Sequence, residues 1–133
     1  MSPERIKEMH IDFTSAVERL EEATNEDPAK GAIVIDGTIQ RFEFTFELAW
    51  KLARAILKYQ GIEAEAPRQV IKEAFKARMI QDGQQWLDML EDRNKSSHIY
   101  DERQAVEIHV KIKTKYFQLL KNFQRYTEKF LEL

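Results

Sequence analysis

Apolar residues recur every three or four positions along most of the chain, which is the spacing of one face of an α-helix. The first such stripe contains Ile6, Met9, Phe13, Val17 and Leu20. It follows Ser2-Pro3-Glu4, where serine can cap a helix and proline suits its first turn. The pattern therefore predicts a first helix that ends near Thr24-Asn25.

A second helical pattern opens at Asp27-Pro28 and continues to about Gln60-Gly61, where glycine suits the left-handed position after a helix end. Within it, RFEFTFELAWK (41–51) alternates phenylalanine with polar residues and locally resembles a strand. The apolar positions on both sides keep helical spacing, so we interpret the segment as one long helix. Because Gly31 and Gly37 weaken its first part, we expect the helix to be bent or to begin later.

Three more helices are predicted downstream. A short one starts at Ala66-Pro67 and carries Val70, Ile71, Ala74 and Phe75. Another is capped at Asp82 and stops near Asn94. After Ser96-Ser97, a long last helix carries a broad apolar stripe that includes Val106, Val110, Phe117, Leu120 and Phe123.

These elements predict an all-α protein, an antiparallel up-and-down bundle of four main helices plus a short one. We expect residues 1–133 to form a single domain. The last apolar stripe is wider than one neighbouring helix requires, so we also expect a homodimer that buries the surplus surface.

Composition supports an all-α class, since the 133 residues include only 4 Gly and 3 Pro while a third of them are charged. With no cysteine, disulfides and thiolate metal sites are excluded.

No signal peptide is apparent, and no apolar run approaches the roughly 20 residues that a membrane span needs. We therefore expect a cytoplasmic protein without membrane association.

The net charge of −2 hides an asymmetry along the chain. Residues 1–92 contain 12 Lys/Arg against 18 Asp/Glu, whereas residues 93–133 contain 9 against 5. The basic excess begins at Arg93. It is either ordinary variation along solvated helices or a surface that attracts phosphates.

The segment RNKSSHIY (93–100) combines residue types that packing alone does not require. In a continuous helix Arg93 and His98 would lie about 140° apart, so they can converge only if the helix breaks. Asn94, Ser96 and Ser97 favour such a break and can cap the following helix. On residue types alone, the favoured interpretation is an inter-helix turn with a surface arginine, a capping serine and a chance histidine. The alternative is a site, because arginine can hold a phosphate and histidine exchanges protons near neutral pH.

RNKSSHIY fits the Arg-x4-His-x-Tyr motif of the HEPN superfamily of helical bundles. In addition, DGTIQRFEFTFELAWK (36–51) and APRQVIKEAF (66–75) resemble the branch known as nucleotidyltransferase substrate-binding proteins, which are the HEPN toxins of minimal-nucleotidyltransferase toxin–antitoxin pairs. The resemblance covers roughly residues 5–130.

This resemblance implies a metal-independent endoribonuclease without cofactors, in which two facing motifs of a homodimer form the RNA-cleaving site. Arg93 would stabilise the charge on the pentavalent phosphorus, and His98 would act as general base or acid. Asn94 would orient the phosphate.

Tyr100 has an implied role in regulation. A partner nucleotidyltransferase, the antitoxin of a type VII-like pair, would transfer AMP to its hydroxyl and block the site. The homodimer and the antitoxin can then assemble into a larger hetero-oligomer. Two other interpretations are a non-catalytic substrate-binding subunit of the nucleotidyltransferase and a helical interaction module without activity.

The remaining candidates are interpreted as structural. His10 and His109 lack acidic or cysteine partners at metal-ligand spacing, so no metal site is predicted. Trp50 and Trp86 are expected in the core. Glu43, Glu47 and Lys51 form an i, i+4 ladder that indicates an exposed salt-bridged face, with partner docking as the alternative. Lys111, Lys113 and Lys115 indicate a solvated surface rather than an RNA track.

Overall fold

A computed structural model describes residues 2–99 and 101–132. Within these residues the chain forms helices and turns and no strand. The helices are α1 (Pro3–Thr24), α2 (Ala32–Tyr59), α3 (Pro67–Lys76), α4 (Gly83–Ser96), α5 (Glu102–Lys111) and α6 (Phe117–Phe130). The all-α antiparallel bundle expected from the sequence is confirmed.

Polar side chains cap the helices near the expected places. Ser2 accepts a hydrogen bond from the backbone of Arg5 at 3.2 Å, and Asp82 accepts one from Gln85 at 3.1 Å. Each cap satisfies an N–H that has no partner within its helix.

The start of α2 differs from the simplest expectation. Asp27 caps a 3-10 turn, Pro28–Lys30, and Gly31 then leaves helical geometry with a φ of 138°. The α-helix therefore begins at Ala32. The prediction that it begins at Asp27-Pro28 was wrong, and the expectation that the glycines delay its start is confirmed.

The central helix of the bundle is α2, which packs against α1, α3, α4, α5 and α6. Its side chains Phe42 and Phe46 are completely buried, and Trp50 and Trp86 are both in the core, as predicted. Burying a large apolar side chain contributes about 1.5–3 kcal/mol. The other helices α1, α3, α4, α5 and α6 thus all pack against α2.

A π turn, Ile112–Tyr116, joins α5 to α6 into one run from residue 102 to residue 130. The wider turn holds one residue more than α-helical geometry allows, which rotates α5 by about 100° relative to the register of α6. As a result Ala105, Ile108 and Ile112 are buried, whereas Val106 and Val110 remain 45% and 50% exposed. Val106 and Val110 therefore belong to the part of the broad apolar stripe that lies outside the core of the single chain.

Phe75, near the end of α3, remains 49% exposed. Its ring lies over Gly83 at the start of α4, where an added Cβ would come within 3.1 Å of the ring.

None of the described helices combines the length and the apolar character required to cross a membrane.

His10 is buried and connects α1 to α6. Its Nδ1 lies 2.7 Å from Thr127 Oγ1, which itself donates to the carbonyl of Gln124. Since the threonine proton is used there, Nδ1 is the donor to Thr127, and Thr14 can donate to Nε2 at 3.4 Å. Burial lowers the pKa of His10 below 6.5, only partly opposed by the nearby Glu128 carboxylate.

We expect the free energy of unfolding to fall as the pH drops from about 7.5 to about 5. The unfolded chain takes up a proton at His10 near pH 6.5, whereas the folded protein resists protonation until a lower pH. His109, whose pKa is lowered by burial and then by Lys113, acts in the same direction. Urea unfolding at both pH values measures the effect.

His10→Gln should reduce this pH dependence, and His10→Gln/His109→Gln should reduce it further. A double variant with the full dependence of the wild type would contradict the assignment to these two histidines.

Candidate functional site

The motif segment straddles the end of α4. Arg93 and Asn94 lie inside the helix, which continues to Ser96 rather than stopping near Asn94. His98 lies in the turn that follows, and Tyr100 lies outside the described residues. The break required between Arg93 and His98 is therefore present, two residues later than expected.

The serines end α4 but do not cap the next helix. Ser97 Oγ donates back to the carbonyl of Asn94 at 3.3 Å. The cap of α5 is Asp101, which accepts a hydrogen bond from the backbone of Gln104 at 2.8 Å. The expectation that Ser96 or Ser97 caps the following helix was wrong, because their hydroxyls face the preceding turn.

On one side, α4 is attached to α2 through carboxylates. Glu47 Oε2 lies 3.5 Å from Arg93 Nη2 and accepts a hydrogen bond from Trp50 Nε1 at 3.1 Å. One turn earlier, Glu43 Oε2 accepts a hydrogen bond from Ser96 at 2.6 Å.

The sequence ladder Glu43-Glu47-Lys51 is therefore only partly a surface feature. Lys51 does pair with Glu47 at 3.3 Å. The interpretation of a simple exposed face was nevertheless wrong, since both glutamates also hold the motif-bearing end of α4.

The Glu47–Arg93 pair is accessible to exchange. Their side chains are 34% and 32% exposed, and pairs of such exposure contribute only about 0–1 kcal/mol. Arg93 Nε is buried and has no hydrogen-bond partner among residues 2–99 and 101–132. The guanidinium is thus held in place by an anion that another anion can replace.

On its other side, α4 is attached to the last helical run through Asp92, which is buried. Tyr116 donates a short hydrogen bond to Asp92 Oδ2, and Lys111 Nζ lies 3.2 Å from the same oxygen. Burial raises the pKa of the Tyr116 hydroxyl above its usual 10, and the hydrogen bond to Asp92 raises it further.

Sequence reasoning missed Asp92. A signal was available, because Asp92 lies three positions after Met89 and therefore falls on the buried face of α4. Lys111 was interpreted as part of a solvated surface. Its contact with a buried carboxylate corrects that interpretation for this lysine.

A groove of about 520 Å³ lies between the end of α4 and α5. Asn94 and His98 both line it, and His98 is exposed to solvent. Its other lining residues are Glu91, Asp92, Lys95, Ile99, Gln104, Glu107, Ile108 and Lys111. Arg93 is not among them, since its side chain faces α2. The structure therefore brings together two of the predicted site residues and places the third on the adjoining face.

The chemistry available here is proton exchange and anion binding. The exposed imidazole of His98 is a side chain suited to general acid–base catalysis, and Lys95 and Lys111 bring positive charge to the groove. No group of three or more His, Asp or Glu side chains that could hold a metal ion occurs in the part of the chain that the structure describes.

Comparison with known proteins identifies the family. A family model described as "Nucleotidyltransferase substrate binding protein like" matches residues 9–129. The chain belongs to this family, which confirms the resemblance read from its sequence.

One relative, named "Probable ribonuclease HepT", comes from Haemophilus influenzae (strain Rd). It is 30% identical over 84 residues, which are 59% of this chain and 58% of that protein. The matched part thus spans a little over half of the relative.

Two solved structures have the same architecture. A crystal structure of a protein from Thermus thermophilus is 32% identical, with a TM-score of 0.78 over 86% of this chain and 98% of that one. HI0074 from Haemophilus influenzae is described as having the fold of a substrate-binding domain of a nucleotidyltransferase. It is 20% identical, with a TM-score of 0.68 over 99% of this chain and 100% of that one, and shows the shared fold alone.

We expect Tyr116→Phe to lower the free energy of unfolding by about 1.5–3 kcal/mol, because it removes a buried hydrogen bond to a charged carboxylate. Tyr59→Phe is a matched control, since Tyr59 is more than half exposed. Urea unfolding measures both variants. Equal stability of Tyr116→Phe and the wild type would contradict an energetic role for the Asp92–Tyr116 contact.

Proposed function

We propose that this protein is a metal-independent endoribonuclease, the toxin of a type VII-like toxin–antitoxin pair. One observation carries the proposal: an exposed His98 shares a groove with Asn94, one turn from an Arg93 whose carboxylate partner is exchangeable. The similarity to a protein named as a probable ribonuclease supports it.

In the proposed reaction, His98 accepts the proton of a ribose 2′-hydroxyl. The 2′-oxygen attacks the neighbouring phosphorus, and the bond from phosphorus to the 5′-oxygen breaks. A second acid donates a proton to that leaving oxygen. The products carry a 2′,3′-cyclic phosphate and a 5′-hydroxyl.

Arg93 would leave Glu47 and contact the phosphate while its negative charge rises in the transition state. Losing a weak, partly exposed pair costs little compared with the charge-assisted bonds that guanidinium forms with phosphate. Asn94 would orient the phosphate from within the groove.

A homodimer would supply the second acid, because each chain brings one His98. Apolar side chains that remain exposed support a further interface. Among them are Ile33 and Phe44 on α2 and Val106 and Val110 on α5.

Tyr100 would be the point of control. In the proposed modification, its hydroxyl oxygen attacks the α-phosphorus of ATP, pyrophosphate leaves, and AMP remains attached. This step rests on the motif match and on the family's link to nucleotidyltransferases. The added anion would compete with the substrate phosphate for Arg93. The modifying partner would be the antitoxin, in a hetero-oligomer with the dimer.

A second candidate is a non-catalytic subunit that binds a substrate for the nucleotidyltransferase. The family description favours it, as does a groove large enough for a small ligand. Cleavage assays separate the two candidates.

We expect the purified, unmodified protein to cleave RNA in the presence of EDTA and to leave 2′,3′-cyclic phosphates. His98→Ala and Arg93→Ala should each reduce the rate at least about 100-fold, the lower range for a lost proton-transfer or charge-stabilising group. Gel analysis of a labelled RNA, with end-group identification, measures both.

His10→Gln is the matched control, since it removes a buried histidine that does not line the groove. If wild type, His98→Ala and Arg93→Ala all leave the RNA intact, the ribonuclease proposal is wrong and the binding-subunit candidate takes its place.

Incubation with the partner nucleotidyltransferase and ATP should increase the mass of the protein by whole units of AMP. Tyr100→Phe should gain none, because it lacks the hydroxyl nucleophile, whereas Tyr59→Phe should gain as much as the wild type. Intact mass spectrometry measures the gain. An equal gain in Tyr100→Phe would exclude Tyr100 as the acceptor.

A further inference from the structure

Arg93 does not line the groove beside His98, so the cations that do line it come from other residues. Lys95 and Lys111 are the two lysines that line it. They face three acids of the same groove, namely Glu91, Asp92 and Glu107. The two lysines differ in how they are held.

Lys95 forms a surface pair with Glu91 at 3.8 Å, and both side chains are more than 60% exposed. Such a pair does little to fix the ammonium. Lys111 is 48% exposed, but its partner Asp92 is only 13% exposed and also accepts the hydrogen bond from Tyr116. The ammonium of Lys111 is therefore fixed by Asp92 while about half of the side chain remains exposed to solvent.

The π turn makes this anchor possible. Lys111 and Tyr116 are five positions apart and would point about 140° away from each other in a regular α-helix. The π turn begins directly after Lys111 and ends at Tyr116, and both side chains reach the same carboxylate oxygen. Single π turns inside α-helices are frequent at functional sites.

We propose that Lys111 binds a phosphate group of RNA in this groove, and that Asp92 and Tyr116 position it for that contact. The ammonium has three N–H donors, of which Asp92 occupies one, so two can reach phosphate oxygens. Because folding has already ordered the side chain, binding costs less conformational entropy than ordering a free lysine. This inference rests on the proposed function, since it assigns the phosphate to the ribonuclease's own substrate.

The contact can be tested without cleavage by using a fluorescent single-stranded RNA whose riboses are all 2′-O-methylated. Such an RNA lacks the attacking hydroxyl. Fluorescence anisotropy at several salt concentrations gives Kd and its salt dependence. Lys111→Met should weaken binding about five-fold near 0.1 M salt and reduce the slope of log Kd against log salt by about 0.7, the value for one single-strand phosphate contact.

Lys115→Met is the matched control, because it removes the same charge from an exposed position of the π turn that does not line the groove. It should change Kd and the slope much less. Lys111→Arg should keep the slope, since it retains the charge. Circular dichroism confirms that each variant is folded.

The positioning role has its own readout. Tyr116→Phe keeps the net charge but frees Asp92 and Lys111, so it should weaken RNA binding. Tyr116→Phe/Lys111→Met should bind no worse than Lys111→Met alone, because the tyrosine acts through the lysine. Additive losses in the double variant would show a purely structural role and overturn the positioning step.

The outcomes separate this inference from the proposed function. Binding that depends on Lys111 in a protein that does not cleave natural RNA would support the inference and remove the ribonuclease proposal. If the wild type cleaves RNA but Lys111→Met binds RNA as tightly as the wild type, the ribonuclease proposal stands and the inference about Lys111 is wrong. Equal losses for Lys111→Met and Lys115→Met, or no RNA binding by the wild type, would overturn the phosphate contact.

Discussion

Asp92 places a negative charge against the core where α4 meets the last helical run, and the surrounding structure depends on how that charge is satisfied. A buried carboxylate is costly unless it is hydrogen-bonded and paired. Tyr116 and Lys111 provide both, on a single oxygen. Since Arg93 and Asn94 directly follow Asp92, fixing this residue also fixes the helical turn that carries the motif.

Satisfying Asp92 has consequences along the whole helical run from residue 102 to residue 130. The π turn that brings Lys111 and Tyr116 together rotates α5 relative to α6, which buries Ile108 and leaves Val106 and Val110 in solvent. A local change in helical geometry thus decides which apolar residues remain available for another chain. The helical run that holds Asp92, next to the motif, is therefore also the one that carries the exposed Val106 and Val110.

The opposite face of α4 is held more loosely. Glu47 and Glu43 contact Arg93 and Ser96 across a boundary that remains partly open to water. This difference suits a site that binds anions: the buried contact keeps the helix in place, whereas the partly exposed contact can be exchanged for a phosphate. Arg93 and Lys111 then lie on two sides of one helix end, each already paired with a carboxylate.

The sequence by itself determined the helical class, most helix boundaries, the core tryptophans and the motif, because these depend on local spacing and on residue chemistry. It placed His98 after a helix break, as the structure has it. Only the tertiary structure decided the partners of Asp92, Glu43 and Glu47, since these contacts join residues 19 to 53 positions apart. The spacing of apolar residues did not predict the π turn either. One extra residue in a turn leaves the spacing of 3 or 4 intact in the helix on each side of it, but changes which face of α5 is buried.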